Sequence, residues 1–208
     1  YDSEPYYNLG LCLHWQGRDA EAYDAFYKAT WSGAWQGPAF YAMACVKTAE
    51  GEYPLALAHV ERSLVMGCHN MKARTLKTAL LRRLGRGAEA AAFARETLAI
   101  DPMDYAARWE QGGDGRAALL DAICGNANWC IELALEYAGA GLYEEAAAIL
   151  EEAAAKGQHY PLVHYHLARF CDTLGNKPQA DAQRAAAAKA PSDYCFPHRL
   201  EDLLALTD

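Results

Sequence analysis

Residues 6–29 read Tyr6-Tyr7-Asn8-Leu9-Gly10-Leu11-Cys12-Leu13-His14-Trp15-Gln16-Gly17-Arg18-Asp19-Ala20-Glu21-Ala22-Tyr23-Asp24-Ala25-Phe26-Tyr27-Lys28-Ala29, and the order of small and large side chains in this run decides the fold. Leu9, Leu13 and Phe26 are spaced for the apolar faces of two helices. Gly10 and Ala22 thin those faces so that the helices can approach, and Gly17 stands where the first helix must end and the chain reverse. The pattern recurs. Gly17, Gly51, Gly85, Gly141 and Gly175 are separated by 34, 34, 56 and 34 residues, and five positions after each comes Ala22, Ala56, Ala90, Ala146 or Ala180. The step of 56 is one period of 34 plus an insertion of 22. Two small-residue series that stay in phase over most of a chain describe an all-α solenoid of stacked units.

Taking each glycine as position 15 places units at 3–36, 37–70, 71–104, 127–160 and 161–194, each an antiparallel pair of helices A and B, and 195–208 supplies the first helix of a truncated unit. Small residues at position 8 (Gly10, Ala44, Thr78, Ala134, Ala168) and position 20 let A and B come close. Leu9, Met43, Leu133 and Leu167 at position 7, with Phe26, Val60 and Leu150 at position 24, are expected to fill the space between them. Lys77 and Arg184 break this rule; their stems are expected to cover the interface, their charges to reach solvent and the packing there to loosen. The prolines check the register. Pro54 and Pro178 open B helices, Pro5, Pro38, Pro161 and Pro197 fall in first turns of A helices, and Pro102 and Pro191 lie between units. None falls in a helix interior, where proline costs about 3 kcal/mol. The insertion, 105–126, is a clipped unit: short helices over 105–111 and 116–124 about a turn at 112–115.

Composition narrows the functional classes. With 52% apolar and 22% charged residues the 208-residue chain is ordered rather than disordered, and no apolar run is long enough to span a membrane. The net charge of −8 falls almost wholly on the second half (−1 over 1–104, −7 over 105–208), which argues against nucleic-acid binding. Seven cysteines without a C-x-x-C pair are expected to be reduced, mostly buried thiols, and point to the cytoplasm. A start at Tyr1 and an equally abrupt end point to a piece of a larger protein. Catalytic motifs are wanting. Gly113-Asp114-Gly115 follows no strand, so it is a turn rather than a dinucleotide loop. His164 and His166, near His159, point about 200° apart on a helix and cannot share a metal, and Cys68-His69 has no second pair. No catalytic residue, metal or cofactor is expected.

The recurring Tyr6-x2-Leu9-Gly10-x2-Leu13, Ala22-x3-Phe26 and Ala29 pattern resembles the tetratricopeptide repeat, in phase five times. More narrowly, Tyr6-Tyr7-Asn8-Leu9-Gly10-Leu11, Tyr27-Lys28-Ala29-Thr30-Trp31-x3-Trp35 and Pro191-Ser192-Asp193-Tyr194-Cys195-Phe196-Pro197 resemble the repeat region of large bacterial proteins, where repeats follow an uncharacterised β-sandwich domain with a carbohydrate-enzyme flavour. The resemblance implies an α–α superhelix whose concave side is lined by positions 2, 5, 9, 12 and 13 of the A helices. Those positions hold an aromatic zone (Tyr7, Leu11, His14, Trp15, Tyr41, Cys45) and a basic one (Lys72, Arg82 and Arg83, with Thr75 and Ala79, continued by Arg86). A mixed zone follows: Ile131, Leu135, Tyr165, Arg169 and Asp172. The clamp of chaperone-tail binders implies Lys or Asn where this chain has Tyr7, Leu11 and Ala42, and Lys or Arg at Lys72 and Leu76; only Lys72 matches.

The function that follows is a non-catalytic scaffold for a protein or peptide partner. Tyr7, Trp15 and Tyr41 would be its anchors, and Lys72, Arg82 and Arg83 would meet an acidic group. The missing upstream domain of the same protein is a second candidate partner. An alternative makes the chain an accessory module of a carbohydrate-active enzyme, with Trp31 and Trp35 meeting a glycan or the catalytic domain. Self-association is a third reading, through solenoid ends such as Leu203, Leu204 and Leu206.

Overall fold

A helix reverses sharply where one residue can take a positive φ, and the five phased glycines do so alike. In the computed structural model φ is 72° at Gly17, 78° at Gly51, 75° at Gly85, 75° at Gly141 and 77° at Gly175. Around each the same two hydrogen bonds close. Gly17 N–H donates to His14 O and Arg18 N–H to Leu13 O. The pair repeats at Gly51–Glu52, Gly85–Arg86, Gly141–Leu142 and Gly175–Asn176, always at 2.8–3.0 Å. This is the Schellman arrangement, which satisfies carbonyls that the helix end leaves without partners.

The described residues are 2–157, 159–193 and 195–207; Tyr1, Gln158, Tyr194 (part of the last segment of the narrower resemblance) and Asp208 lie outside them. Among them run thirteen helices and no strand. They are α1 (Glu4–Trp15), α2 (Asp19–Ala29), α3 (Gly33–Ala49), α4 (Tyr53–Met66), α5 (Met71–Arg83), α6 (Gly87–Ile100) and α7 (Tyr105–Gln111). Then follow α8 (Gly113–Ile123), α9 (Ala127–Ala138), α10 (Tyr143–Ala155), α11 (Pro161–Thr173), α12 (Lys177–Ala187) and α13 (Leu200–Thr207). None of these helices is long and apolar enough to cross a membrane.

The helices gather into two units, residues 1–111 and 112–208. In the first, α1/α2, α3/α4 and α5/α6 are hairpins and α7 packs on α5 and α6. In the second, α8 packs on α9, α9/α10 and α11/α12 are hairpins, and α13 lies on α11. The insertion is thus shared between the units, and α8 starts at Gly113, three residues ahead of expectation, because Gly112 and Gly113 alone make the turn with φ of 69° and 50°. Each hairpin closes on its small residues. Ala22, Ala56, Ala146 and Ala180 are wholly buried and Ala90 nearly so. Gly10 lies so close to Phe26 that an added Cβ would sit 2.5 Å from its ring. Phe26, Met43, Leu80 and Trp109 centre the first core; Ile123, Ile131, Tyr137, Leu150 and Phe170 centre the second.

Four expectations need correction. Leu9 does not fill the hairpin interior and is 49% exposed. Position 7 faces the preceding B helix, as Lys77 shows by reaching Glu61 of α4, and no described helix precedes α1. Lys77 and Arg184 do not send bare charges into solvent: Lys77 pairs with Glu61 at 3.0 Å with its ammonium 4.8 Å from the Phe93 ring centre, and Arg184 pairs with Asp172. Pro38 lies inside α3, because Gly33–Gln36 add an extra turn whose Trp35 packs at a tilt against Tyr7, ring centres 4.9 Å apart. Pro197 lies in the loop ahead of α13 rather than in its first turn.

The last helix is tied down by one buried pair. His166 Nε2 lies 2.8 Å from an Asp202 oxygen, and the other Asp202 oxygen accepts from the N–H groups of His198 and Arg199 at the start of α13. Burial lowers the His166 pKa, only partly offset by Asp202, and its Nδ1 has no hydrogen-bond partner among the described residues, as suits a neutral ring. Burial would raise Asp202, but the His198 N–H, His166 and Arg199 N–H outweigh it and hold the carboxyl below its usual range. His198, Arg199, Glu201 and Tyr160 are further charged or titratable groups facing the pair.

Two outcomes follow. Gly10→Ala should lower unfolding free energy by about 1–3 kcal/mol through overpacking, and Phe26→Leu in the same chain should recover part of that loss; denaturant titration reads both. His166 and Asp202 each bind fewer protons folded than unfolded. The α13 tether should therefore be complete above about pH 6.5, weaken as the pH falls through that value and weaken further as Asp202 is protonated. Amide exchange over 200–207, corrected for its intrinsic pH dependence, should accelerate relative to 162–170 between pH 7 and 5.

Candidate functional site

The A helices α1, α3 and α5 pack side by side in the first unit, and the resemblance-derived positions can be followed across them. Cys45 of α3 links the group. It is 8% exposed; burial pushes its thiol up to about 12, against the opposing pull of a Tyr41 hydrogen bond and the Lys72 charge. Tyr7 of α1 is half-buried against Phe26 and Trp35, and burial first, Cys45 second, raises its phenol. Tyr7, Tyr41, Cys45 and Lys72 therefore occupy one neighbourhood on three helices. Cys45 forms its floor, the two tyrosines are partly exposed and Lys72 is exposed. Leu11 is half-buried against the core of the first hairpins, and Trp15 at the end of α1 is 50% exposed.

Other positions are committed elsewhere. His14 pairs with Asp19 at 2.6 Å. Arg82 grips Glu110 of α7 with two hydrogen bonds, 3.0 and 3.2 Å, and the Glu110 side chain is only 3% exposed. Thr75 and Ala79 are buried in the α5 packing, and Arg86 pairs with Glu89 at 2.6 Å. Arg83 is half-buried. In the second unit Ile131 is wholly buried, Leu135, Tyr165 and Arg169 are partly exposed, and Asp172 holds Arg184. Tyr165 also lines a cavity of about 310 Å³ with Leu162 of α11, Ala187 of α12, Leu206 of α13, Cys195 and Pro197.

Sequence reasoning missed two features. Arg74, 3% exposed, reaches Thr97 Oγ1 at 2.9 Å, the Cys68 carbonyl at 3.3 Å and Glu96 at 2.7 Å, with Phe93 under its guanidinium at 4.3 Å. Phe93 and Thr97 lie one turn apart on α6, a signal the sequence carries, but their partner becomes visible only with the hairpin in place. The second is a row of exposed apolar side chains at corresponding ends of B helices: Trp31, Val65, Met66 and Ile100. Their 34-residue spacing was legible; their exposure was not.

No family model matches this sequence, and no curated protein does. Among solved structures the chain is similar to a tetratricopeptide repeat protein from Parabacteroides merdae, at 14% identity and a TM-score of 0.54, over 91% of this chain and 80% of that one. It is also similar to a thermophilic TPR protein from Thermus thermophilus, at 18% identity and 0.51, over 99% of both chains. The chain has the tetratricopeptide-repeat fold. At these identities the likeness is one of fold, so any site rests on the side chains described above.

The Arg82–Glu110 contact separates structural from binding roles. Arg82→Ala should destabilise the chain by about 1–3 kcal/mol, because it takes two charge-assisted hydrogen bonds from a nearly buried carboxylate, and adding Glu110→Gln should return part of that. Lys72→Ala should change stability by less than about 0.5 kcal/mol. Paired denaturant curves distinguish the two.

Proposed function

We propose that this chain is a non-catalytic tetratricopeptide-repeat scaffold that binds a peptide segment of a partner protein along α1, α3 and α5. The observation that carries the reading is the grouping of Tyr7, Tyr41 and exposed Lys72 over buried Cys45, with half-exposed Trp15 on the same helix as Tyr7. Aromatic side chains held partly by packing lose little freedom on binding, which suits them as anchors, and a lysine beside them favours an acidic neighbour in the ligand. Arg82 bonds Glu110 and so also supports the packing of α7. Arg83, and Tyr165 and Arg169 in the second unit, remain candidates for further contacts. Upstream sequence of a larger protein could supply the segment, and a second copy could meet the exposed Leu203 and Leu206. Trp35, one of the two tryptophans of the glycan-module alternative, packs against Tyr7.

Selection from a random peptide library against the full chain should enrich peptides that combine an aromatic or large aliphatic residue with nearby acidic ones. Trp15→Ala, Tyr41→Ala and Lys72→Glu should each weaken an enriched peptide about tenfold or more, a loss of about 1.4 kcal/mol, and salt should weaken the parent more than Lys72→Glu. Failure to enrich any peptide, or undiminished binding by all three variants, would refute the reading.

A further inference from the structure

Two thiols of the second unit meet at the join between α8 and α9. Cys124 is the residue that ends α8 and is half-buried; Cys130 is in α9 and buried. Their sulfurs are 3.9 Å apart. A disulfide needs about 2.05 Å, so closing the gap asks about 2 Å of the sulfur atoms, within reach of side-chain rotation and a small shift of the short α8–α9 turn at Gly125 and Asn126. Beside them Lys156 bonds Asp121. That hydrogen bond chiefly raises the ammonium, and charge on Cys124 adds to it, which puts a cation within electrostatic reach of the outer thiol.

We propose that Cys124 and Cys130 form an oxidisable dithiol that reacts with a hydroperoxide and closes to a disulfide between the end of α8 and the body of α9. The half-buried sulfur acts first, as a thiolate. Cys124 attacks one peroxide oxygen, an S–O bond forms and the O–O bond breaks, and the departing hydroxide takes a proton to leave as water; the sulfur is oxidised and the peroxide reduced. Cys130 then attacks the Cys124 sulfenic sulfur. The S–S bond forms, the S–O bond breaks, and the leaving hydroxide carries off the Cys130 proton as a second water. For hydrogen peroxide the sum is two thiols and one peroxide giving one disulfide and two waters. Burial pushes the Cys130 thiol up to about 12, with Cys124 adding to it, so the second step accelerates with pH.

Trypsin gives a direct reading, because Arg116 and Lys156 bound a peptide, residues 117–156, that holds both cysteines and no others. The full chain treated with one equivalent of hydrogen peroxide, then alkylated and digested, should yield that peptide unalkylated and two hydrogens lighter, and prior reduction should restore two alkylation sites. Oxidised chain should also exchange the amides of 119–124 several-fold more slowly. Cys130→Ser should halt at a Cys124 sulfenic acid that dimedone traps. Both cysteines still alkylated while other thiols have been consumed, or Cys124 carried on to sulfinic acid beside an intact Cys130, would overturn the proposal.

Discussion

A helix that folds back on itself within a few residues needs one residue at positive φ, and every hairpin here with a phased glycine meets that need the same way. An L side chain in that conformation costs roughly 1–2 kcal/mol, and an added Cβ at Gly17, Gly51, Gly85, Gly141 or Gly175 would touch nothing within 4 Å. The demand at these glycines is therefore conformational rather than spatial. Once the turn is set, the alanine five residues on lies against the A helix, and the close approach at positions 8 and 20 follows from geometry. The period of 34 is the length of chain that this turn and its return require.

From the hairpins the candidate surface follows. One face of each A helix packs against its neighbours, and part of the opposite face of α1, α3 and α5 stays partly open. The charges within the chain follow a similar rule. Arg74, Lys77, Arg82 and Arg184 all meet carboxylates from other helices, which adds polar ties to the helix packing. A basic residue on an A helix is thus no guide to ligand charge until its own partner is known.

That point marks the limit of legibility. The glycine turns, the buried alanines, Gly10 against Phe26 and the bounds of α7 could be read from the sequence, because each depends on the identity of a residue at a fixed offset along the chain. Leu9 misled, since its burial depends on a neighbour that unit 1 lacks among the described residues. Pro38 misled because Gly33–Gln36, with Trp35 packed against Tyr7, lengthen α3 by four residues ahead of the unit boundary. The pairing of Arg82 was not legible because Glu110 sits 28 residues away in the insertion, where the period is broken. Short-range constraints were visible; pairings across units were not.

The most direct test of the central claim replaces Gly85 with alanine of either hand by protein semisynthesis and compares unfolding free energies. The account predicts that the D-alanine chain is more stable than the L-alanine chain by about 1–2 kcal/mol, because only the D residue favours a φ near 75°. Equal stabilities, or an advantage for L-alanine, would contradict it.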